Sequence, residues 1–361
     1  MEYSKKVVFI TSSLSSGGAE RVISELSNYF SQHKIDVYIL LISQNQIEYD
    51  LCDNIKIIPL CNEIKYKSGI LAIINRIYKI RKYVNNISPD VVFSFLSDIN
   101  IYSCIALGIS KHKLIVSERN DPKNDPRSPV KRMLRYLTYN LADGYVFQTQ
   151  QAKEYFPKRI QKKSKVIPNP LKKNLPMPYK GIRKKTIVAV GRLENQKNYP
   201  LLFEAFDDFS KEFPDYNLVV YGDGSKRAQL EELIINMGLK DKIILKGIVQ
   251  NFHEDIKDAA MYVMTSNFEG MPNALMEAMA IGLPCISSNC PCGGPALLIN
   301  HMENGLLFDV GDKEELVKYM KLIVKNNDLA RSISERAYHD LQNYVIDRIA
   351  NQWLEFVDSL T

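Results

Sequence analysis

Two glutamates stand eight residues apart in the string Ser266-Asn267-Phe268-Glu269-Gly270-Met271-Pro272-Asn273-Ala274-Leu275-Met276-Glu277. A carboxylate in the loop ahead of a helix started by Pro272 can accept hydrogen bonds from sugar hydroxyls. A second carboxylate inside that helix can chelate a ribose diol, and the helix N-terminus between them attracts phosphate. Gly270 and Pro272 shape the bend. A bare pair of glutamates fits a solvated helix face just as well, but the whole string is far more specific than the pair. A second loop, Gly191-Arg192-Leu193-Glu194-Asn195-Gln196-Lys197, holds a planar guanidinium and a point-charge ammonium within reach of one diphosphate. Neutralising a departing diphosphate stabilises a transition state. Taken alone, the same two side chains fit an ordinary solvated loop.

Two glycine pairs complete the set. Gly17-Gly18 lies in Ser15-Ser16-Gly17-Gly18-Ala19-Glu20, and Gly222-Asp223-Gly224 precedes Ser225. Glycine lets backbone approach a ligand closely, although each stretch also reads as a plain tight turn. Neither is the Gly-x-Gly-x-x-Gly of dinucleotide-binding folds.

All four stretches fall at predicted strand-to-helix turns. The first half alternates strands at Lys6–Thr11, Ile35–Ile42, Val91–Phe95, Lys113–Ser117, Gly144–Phe147 and Lys165–Ile167 with helical patterns such as Ala19–His33. The second half restarts with strands at Thr186–Val190, Asn217–Tyr221, Ile243–Leu245, Met261–Thr265, Pro284–Ser287 and Gly305–Phe308. Helices are predicted at Leu201–Glu212, Ser225–Met237 and Pro272–Ala280, with a last one over Ser332–Ser359 that carries Trp353. This alternation predicts an α/β protein with parallel sheets covered on both faces, whose ligands sit outside the carboxyl ends of the strands. Pro168, Pro170, Pro176 and Pro178 among many lysines read as a boundary. The expected division is 1–170, a linker at 171–185, a second domain at 186–340, and a C-terminal helix at 341–361 crossing back to the first.

The chain has 361 residues, 45% hydrophobic and 24% charged, which is folded globular composition rather than disorder. Its net charge of +6 is unevenly distributed. Residues 1–180 hold 28 Lys and Arg against 15 Asp and Glu, a balance of +13, and the remainder balances at −7. The basic half therefore suits an anionic partner: nucleic acid, a phosphorylated ligand or a membrane surface. The apolar run after Lys5-Lys6 is too short for a secretory signal, and no stretch reaches the roughly 18 apolar residues of a spanning helix. The expectation is a protein that stays where it is made. Six irregularly spaced cysteines read as reduced thiols that bind no metal.

Gly17-Gly18, Gly191-Arg192-Leu193 with Lys197, Gly222-Asp223-Gly224, and Glu269 with Glu277, in this order along the chain, together resemble glycosyltransferase family 4 over nearly the whole chain. The resemblance implies the GT-B fold, two doubly wound Rossmann-like domains facing across a cleft, the first on the acceptor side and the second binding the sugar nucleotide. It implies a retaining hexosyl- or N-acetylhexosaminyltransferase that takes a UDP-sugar as substrate and uses no cofactor or metal. Glu269, Arg192 and Lys197 would be catalytic. Gly17, Gly18, Gly222, Gly247, Gly270, Met271, Pro272, Asn273 and Glu277 would bind the donor. The string from Glu269, followed by Cys290-Pro291-Cys292-Gly293-Gly294-Pro295, resembles the branch that builds bacterial surface glycans. That branch implies a polyprenyl-diphosphate-linked glycan as acceptor, and a place at the inner face of the cytoplasmic membrane, cytoplasmic and peripheral, in capsule, exopolysaccharide or glycoprotein glycan synthesis.

Where many family members carry a histidine after a first-domain strand, this sequence reads Val116-Ser117-Glu118-Arg119-Asn120-Asp121. Glu118 or Arg119 would then contact sugar or acceptor. None of the five histidines falls in a motif implied by the resemblance, so histidine base catalysis is not expected. The segment 64–84 alternates Ile, Leu and Tyr with Lys65, Lys67, Arg76, Lys79, Arg81 and Lys82, and 129–139 adds Lys131, Arg132 and Arg135. Arg76, Lys79, Lys82, Arg132 and Arg135 are the expected membrane face. The same pattern also fits helices packed on their own sheet. A UDP-sugar 2-epimerase and a nucleic-acid-binding protein remain alternatives. The first needs no basic face, and the second lacks any recognition signature in this sequence.

Overall fold

The computed structural model describes residues 5–15, 17–63 and 69–360, and it divides into two compact units, residues 1–170 with 346–361 and residues 171–345. In the first unit the chain runs β1 (Lys6–Thr11), α1 (Gly18–Gln32), β2 (Asp36–Leu41), β3 (Lys56–Pro59), α2 (Ile70–Ile87), β4 (Val91–Phe95) and α3 (Ser97–Leu107). It continues through β5 (Lys113–Ser117), α4 (Pro129–Thr138), β6 (Gly144–Phe147), α5 (Gln150–Glu154), α6 (Lys158–Lys162) and β7 (Ser164–Val166). In the second unit it runs β8 (Lys184–Val190), α7 (Tyr199–Ser210), β9 (Asn217–Tyr221), α8 (Arg227–Asn236), β10 (Ile243–Gly247), α9 (Phe252–Ile256) and β11 (Ala259–Met264). There follow α10 (Asn273–Ala280), β12 (Cys285–Ser288), α11 (Gly294–Leu298), β13 (Leu306–Phe308), α12 (Lys313–Lys325) and α13 (Asn327–Leu341). Last comes α14 (Ile346–Ser359), which belongs to the first unit.

The first sheet is parallel, in the order β3-β2-β1-β4-β5-β6-β7. Its central strands bury both faces, which is why they read as unbroken apolar runs: Val91 to Phe95 is buried throughout. Ser94, the polar residue in that strand, satisfies its hydroxyl on Ser103 at 2.9 Å. The strand β3 was not expected from the sequence. It is a four-residue, half-buried edge strand ending at Pro59, too short and mixed to show a period. On one face, Trp353 from α14 is fully buried against Phe93, edge-on with centroids 5.1 Å apart, and stacks on Phe95 at 5.7 Å.

The second sheet is also parallel, in the order β10-β9-β8-β11-β12-β13. One face buries Leu202, Phe203, Phe206 and Phe209 of α7 with Leu316 and Met320 of α12. The other buries Leu275, Met276 and Met279 of α10 beneath Ala337 and Leu341 of α13. Two sequence expectations change here. Residues 171–183, read as part of a linker, belong to the second unit. Leu171 donates its N–H to the Tyr344 carbonyl, and Arg183 donates to the carbonyls of Lys257, Ala259 and Gly282. The single last helix is two helices, because Val345 is extended (φ −60°, ψ 148°) and breaks the hydrogen-bond ladder between α13 and α14.

Removing the Trp353 indole leaves a cavity against Phe93 and Phe95 of β4. Trp353→Ala is expected to lower unfolding free energy by about 3–5 kcal/mol, read from denaturant titration. An unchanged midpoint would take Trp353 out of the core.

Candidate functional site

At the carboxyl ends of β8, β9 and β10 three glycines bring backbone together. The Gly191 N–H donates to the Tyr221 carbonyl at 2.9 Å and the Gly222 N–H to the Gly247 carbonyl at 2.8 Å. Gly222 has φ +129°, and a Cβ there would lie 2.1 Å from the Gly191 carbonyl oxygen, so any side chain would force the two loops apart. The loop after β8 is tied to the loop after β9. The Leu193 N–H donates to the Asp223 carbonyl at 3.0 Å, and the Glu194 carboxylate accepts the Ser225 N–H at 3.1 Å.

That loop ends on Lys197, whose Nζ lies 2.6 Å from Oε1 of Glu269, with both side chains largely enclosed (15% and 11% exposed). Ser266 donates its hydroxyl to the same carboxylate oxygen at 2.8 Å. Gln196 donates to the Phe268 carbonyl, the Asn267 N–H donates to the Gln196 carbonyl, and Thr265 donates to the Lys197 carbonyl. Glu269 is also held through its backbone: its N–H donates to the Pro291 carbonyl at 2.7 Å, and its carbonyl accepts the Cys292 N–H at 3.1 Å. Gly294 packs so closely that a Cβ would meet the Gly270 carbonyl oxygen at 1.7 Å. The Cys290 thiol in this wall is pushed up to about 12, first by burial and then by the neighbouring Glu269 charge. Arg192 is exposed at the mouth of the loop. Met271 and Pro272 are buried where the chain enters α10, and Asn273 begins that helix.

Glu277, inside α10, accepts a hydrogen bond or ion pair from His253 Nε2 at 2.7 Å, with both side chains 6% exposed. His253 was missed from the sequence. Its signal was positional: it lies on α9, at the strand-to-helix turn after β10, the same class of position as the other site residues. Tyr199 was missed as well, and its hydroxyl donates to the Gly191 carbonyl at 2.9 Å. The second unit thus gathers Arg192, Lys197, Gly222, Gly247, Glu269, Gly270, Met271, Pro272, Asn273 and Glu277 at or beside the carboxyl ends of its strands. Among the described residues, no group of three or more His, Cys, Asp or Glu is placed to hold a metal ion.

In the first unit Gly17 precedes α1, and the Tyr49 hydroxyl binds its backbone twice, accepting from N–H at 3.1 Å and donating to C=O at 2.8 Å. Gly18 is the first residue of the helix. Two expectations are corrected. Glu118, expected to touch sugar or acceptor, is buried: it accepts the Tyr139 hydroxyl and that of Ser97 at 3.2 Å and lies 3.8 Å from Arg135. Burial raises its pKa, only partly opposed by Arg135 and these hydrogen bonds. Arg135, expected on a membrane face, is 2% exposed and donates to the carbonyls of Asp125 and Pro122. Arg119 has its guanidinium enclosed over the rings of Phe95 and Trp353 and donates to Asn169 at 3.0 Å, and desolvation lowers it to about 9. Arg132 donates to the carbonyls of Pro126 and Arg127. Arg76 and Lys79 are half-buried, Arg81 and Lys82 are exposed, and Lys65 and Lys67 lie outside the described residues.

Two parallel-sheet units with an enclosed Lys–Glu pair at the strand ends of the second define a GT-B glycosyltransferase architecture, and comparison with known proteins agrees. Residues 179–340 match the family described as Glycosyl transferases group 1, and residues 16–173 match Glycosyltransferase Family 4. The chain belongs to glycosyltransferase family 4. It is 28% identical over 98% of both chains to the GalNAc-alpha-(1->4)-GalNAc-alpha-(1->3)-diNAcBac-PP-undecaprenol alpha-1,4-N-acetyl-D-galactosaminyltransferase of Campylobacter jejuni. Its fold matches the lipopolysaccharide outer core galactosyltransferase WaaB, apo form (TM-score 0.77, 22% identity, 99% of this chain and 100% of that one). It also matches Anabaena Alr3699/HepE in complex with UDP and glucose (TM-score 0.83, 18% identity, 98% and 100% covered).

The corrected Glu118 environment has a pH signature. A carboxyl whose folded pKa is raised contributes most below its unfolded pKa, and that contribution is lost as pH rises through the folded value. Wild type should therefore lose stability relative to Glu118→Gln across that rise, measured by urea unfolding at a series of pH values. Parallel curves would show that Glu118 does not titrate with folding. Arg135→Ala, which strips two carbonyls and the buried carboxyl of their cation, should cost about 3 kcal/mol.

Proposed function

We propose that the protein is a retaining glycosyltransferase that moves a hexose or N-acetylhexosamine from a UDP-sugar to a polyprenyl-diphosphate-linked glycan. The product would enter bacterial surface-polysaccharide or glycoprotein glycan synthesis. The observation that carries this reading is the enclosed Lys197–Glu269 pair at the strand ends, with the Glu277–His253 pair beyond it. The lipid-linked acceptor is supported by the Campylobacter relative, whose name places its substrate on diphospho-undecaprenol. The UDP donor is supported by the fold match to a protein bound to UDP and glucose.

In this reading Glu277 holds the donor ribose, its carboxylate oriented by His253. Glu269 accepts hydroxyl hydrogen bonds from the donor sugar near its reacting carbon. An ammonium has three N–H donors, so Lys197 keeps donors for the diphosphate while one engages Glu269. Arg192 adds a second cation from the mouth of the loop. The bond from the anomeric carbon to the diphosphate oxygen breaks while the acceptor oxygen bonds to that carbon on the same face. The acceptor's proton passes to the departing phosphate oxygen. The two cations stabilise the charge that develops there. Because cationic side chains meet that charge, transfer proceeds without a divalent metal.

Offering one nucleotide sugar at a time with a polyprenyl-diphosphate glycan, and reading the acceptor's mass, tests the reaction. An added hexose or N-acetylhexosamine mass supports it, and epimer formation without transfer overturns it. Glu269→Ala and Lys197→Ala should each lower turnover at least about tenfold, about 1.4 kcal/mol of barrier. Wild-type turnover in either variant removes its assigned role. A chelator should leave turnover unchanged, and a loss restored by Mg²⁺ would overturn the metal-free reading.

A further inference from the structure

Helix α4 places its apolar residues on the outside. Val130, Met133, Leu134 and Leu137 recur at helical spacing as one stripe and are all exposed, Val130 at 61% and Met133 at 58%, while Arg135 of the same helix is buried. An amphipathic helix packed only on its own sheet would do the reverse. Helix α2 repeats the pattern. Ile70, Ile74 and Tyr78 form an exposed stripe, with Ile70 at 75%, while Ala72, Ile80 and Val84 are buried. Both helices pack against α3, which puts them in one row on one side of the first unit's sheet, and α3 adds the exposed Ile105 to that row. Contiguous exposed apolar surface of this kind marks an interaction site.

The charges around the stripes narrow the partner. Neither α2 nor α4 contains an acidic residue, and α3 contains only Asp98, which is paired with Lys131. Arg81 and Lys82 are exposed on α2, and Arg127 is exposed just ahead of α4. A second copy of the chain would bring cations against cations. A surface that is apolar in its stripes and cationic around them, with the one acid of its three helices paired, matches anionic headgroups over an acyl layer.

We propose that the α2–α3–α4 row is the surface on which the protein docks to an anionic bilayer, with Val130, Met133, Leu134 and Leu137 entering the headgroup boundary and Arg81, Lys82 and Arg127 meeting anionic lipid. The proposal deepens, and rests on, the reading of a lipid-linked acceptor. It differs from the sequence expectation in its residues, since Arg135 is not at the surface and the anchoring groups are apolar.

The test uses the full chain and vesicles of phosphatidylethanolamine with phosphatidylglycerol, free of glycan acceptor. Wild type should co-float with them and release as salt rises. Met133→Asp with Leu137→Asp, at exposed positions, should weaken vesicle binding at least about tenfold, the order expected from losing two buried side chains, with an unchanged unfolding midpoint. Leu137→Trp should shift its emission to the blue on binding and be quenched by brominated lipid, whereas the buried Trp353 should not. Unchanged partitioning of the double variant, or a Leu137→Trp signal indifferent to vesicles, overturns the proposal. So does stripe-dependent self-association without vesicles, or stripe-dependent retention of a soluble acidic protein in place of vesicle binding. Transfer in detergent with no vesicle binding sinks this surface and leaves the reaction standing. Stripe-dependent vesicle binding with no sugar transferred does the opposite.

Discussion

The second unit is organised around one enclosed ion pair. Lys197 and Glu269 come from loops that follow different strands, β8 and β11, and their charged atoms sit 2.6 Å apart with little access to water. Enclosing two charges carries a desolvation cost that the attraction between them offsets only when the geometry is good and further hydrogen bonds complete it. The surrounding chain supplies that geometry. Gln196, Asn267 and Thr265 lace the two loops together, Ser266 takes part of the Glu269 carboxylate, and the Pro291–Cys292 backbone holds Glu269 from behind. A pair of this kind adds little net stability over an apolar packing of similar volume. Its value is a lysine held in place and aimed.

The same constraint explains where the chain tolerates no side chain. Gly222 and Gly294 each press backbone against a carbonyl oxygen at a distance no Cβ could occupy. The first closes the β8 and β9 loops beneath Lys197, and the second closes the wall that carries Glu269. Glycine at these positions is a matter of volume, and in Gly222 also of a positive φ. Gly222 was readable in the sequence as a place of close approach, whereas Gly294 was not.

Much of the fold was legible because buried parallel strands advertise themselves as short apolar runs, and because strand-to-helix turns are where this architecture keeps its ligands. Glu269, Glu277, Lys197 and Gly222 were found that way. What escaped was whatever depends on direction rather than position. Periodicity could not say that α4 turns its apolar stripe outward, since a stripe looks the same from either side. Nor could it say that Arg135 and Glu118 are both satisfied inside the fold, because their partners are carbonyls at 122 and 125 and the Tyr139 hydroxyl. His253 was passed over because only its Glu277 partner, 24 residues on, gives it meaning. The edge strand β3 and the break at Val345 were hidden for a simpler reason: each is set by one or two residues, too few for a pattern.

The excess of basic residues in the first half also changes its meaning once the side chains are placed. Arg135 is consumed by buried carbonyls and Glu118, Arg119 by aromatic rings, Arg132 by two carbonyls and Lys131 by Asp98. The enclosed Arg135 and Arg119 hold the fold and cannot also meet a partner without giving up what they bind. A count of charge therefore overstates the attractive surface. Beside the apolar stripes, Arg81, Lys82 and Arg127 are exposed, with no acid on helices α2 and α4 to oppose them. A few cations around an apolar stripe attract an anionic interface more selectively than a larger, diffuse excess would, because charge steers and buried apolar area retains.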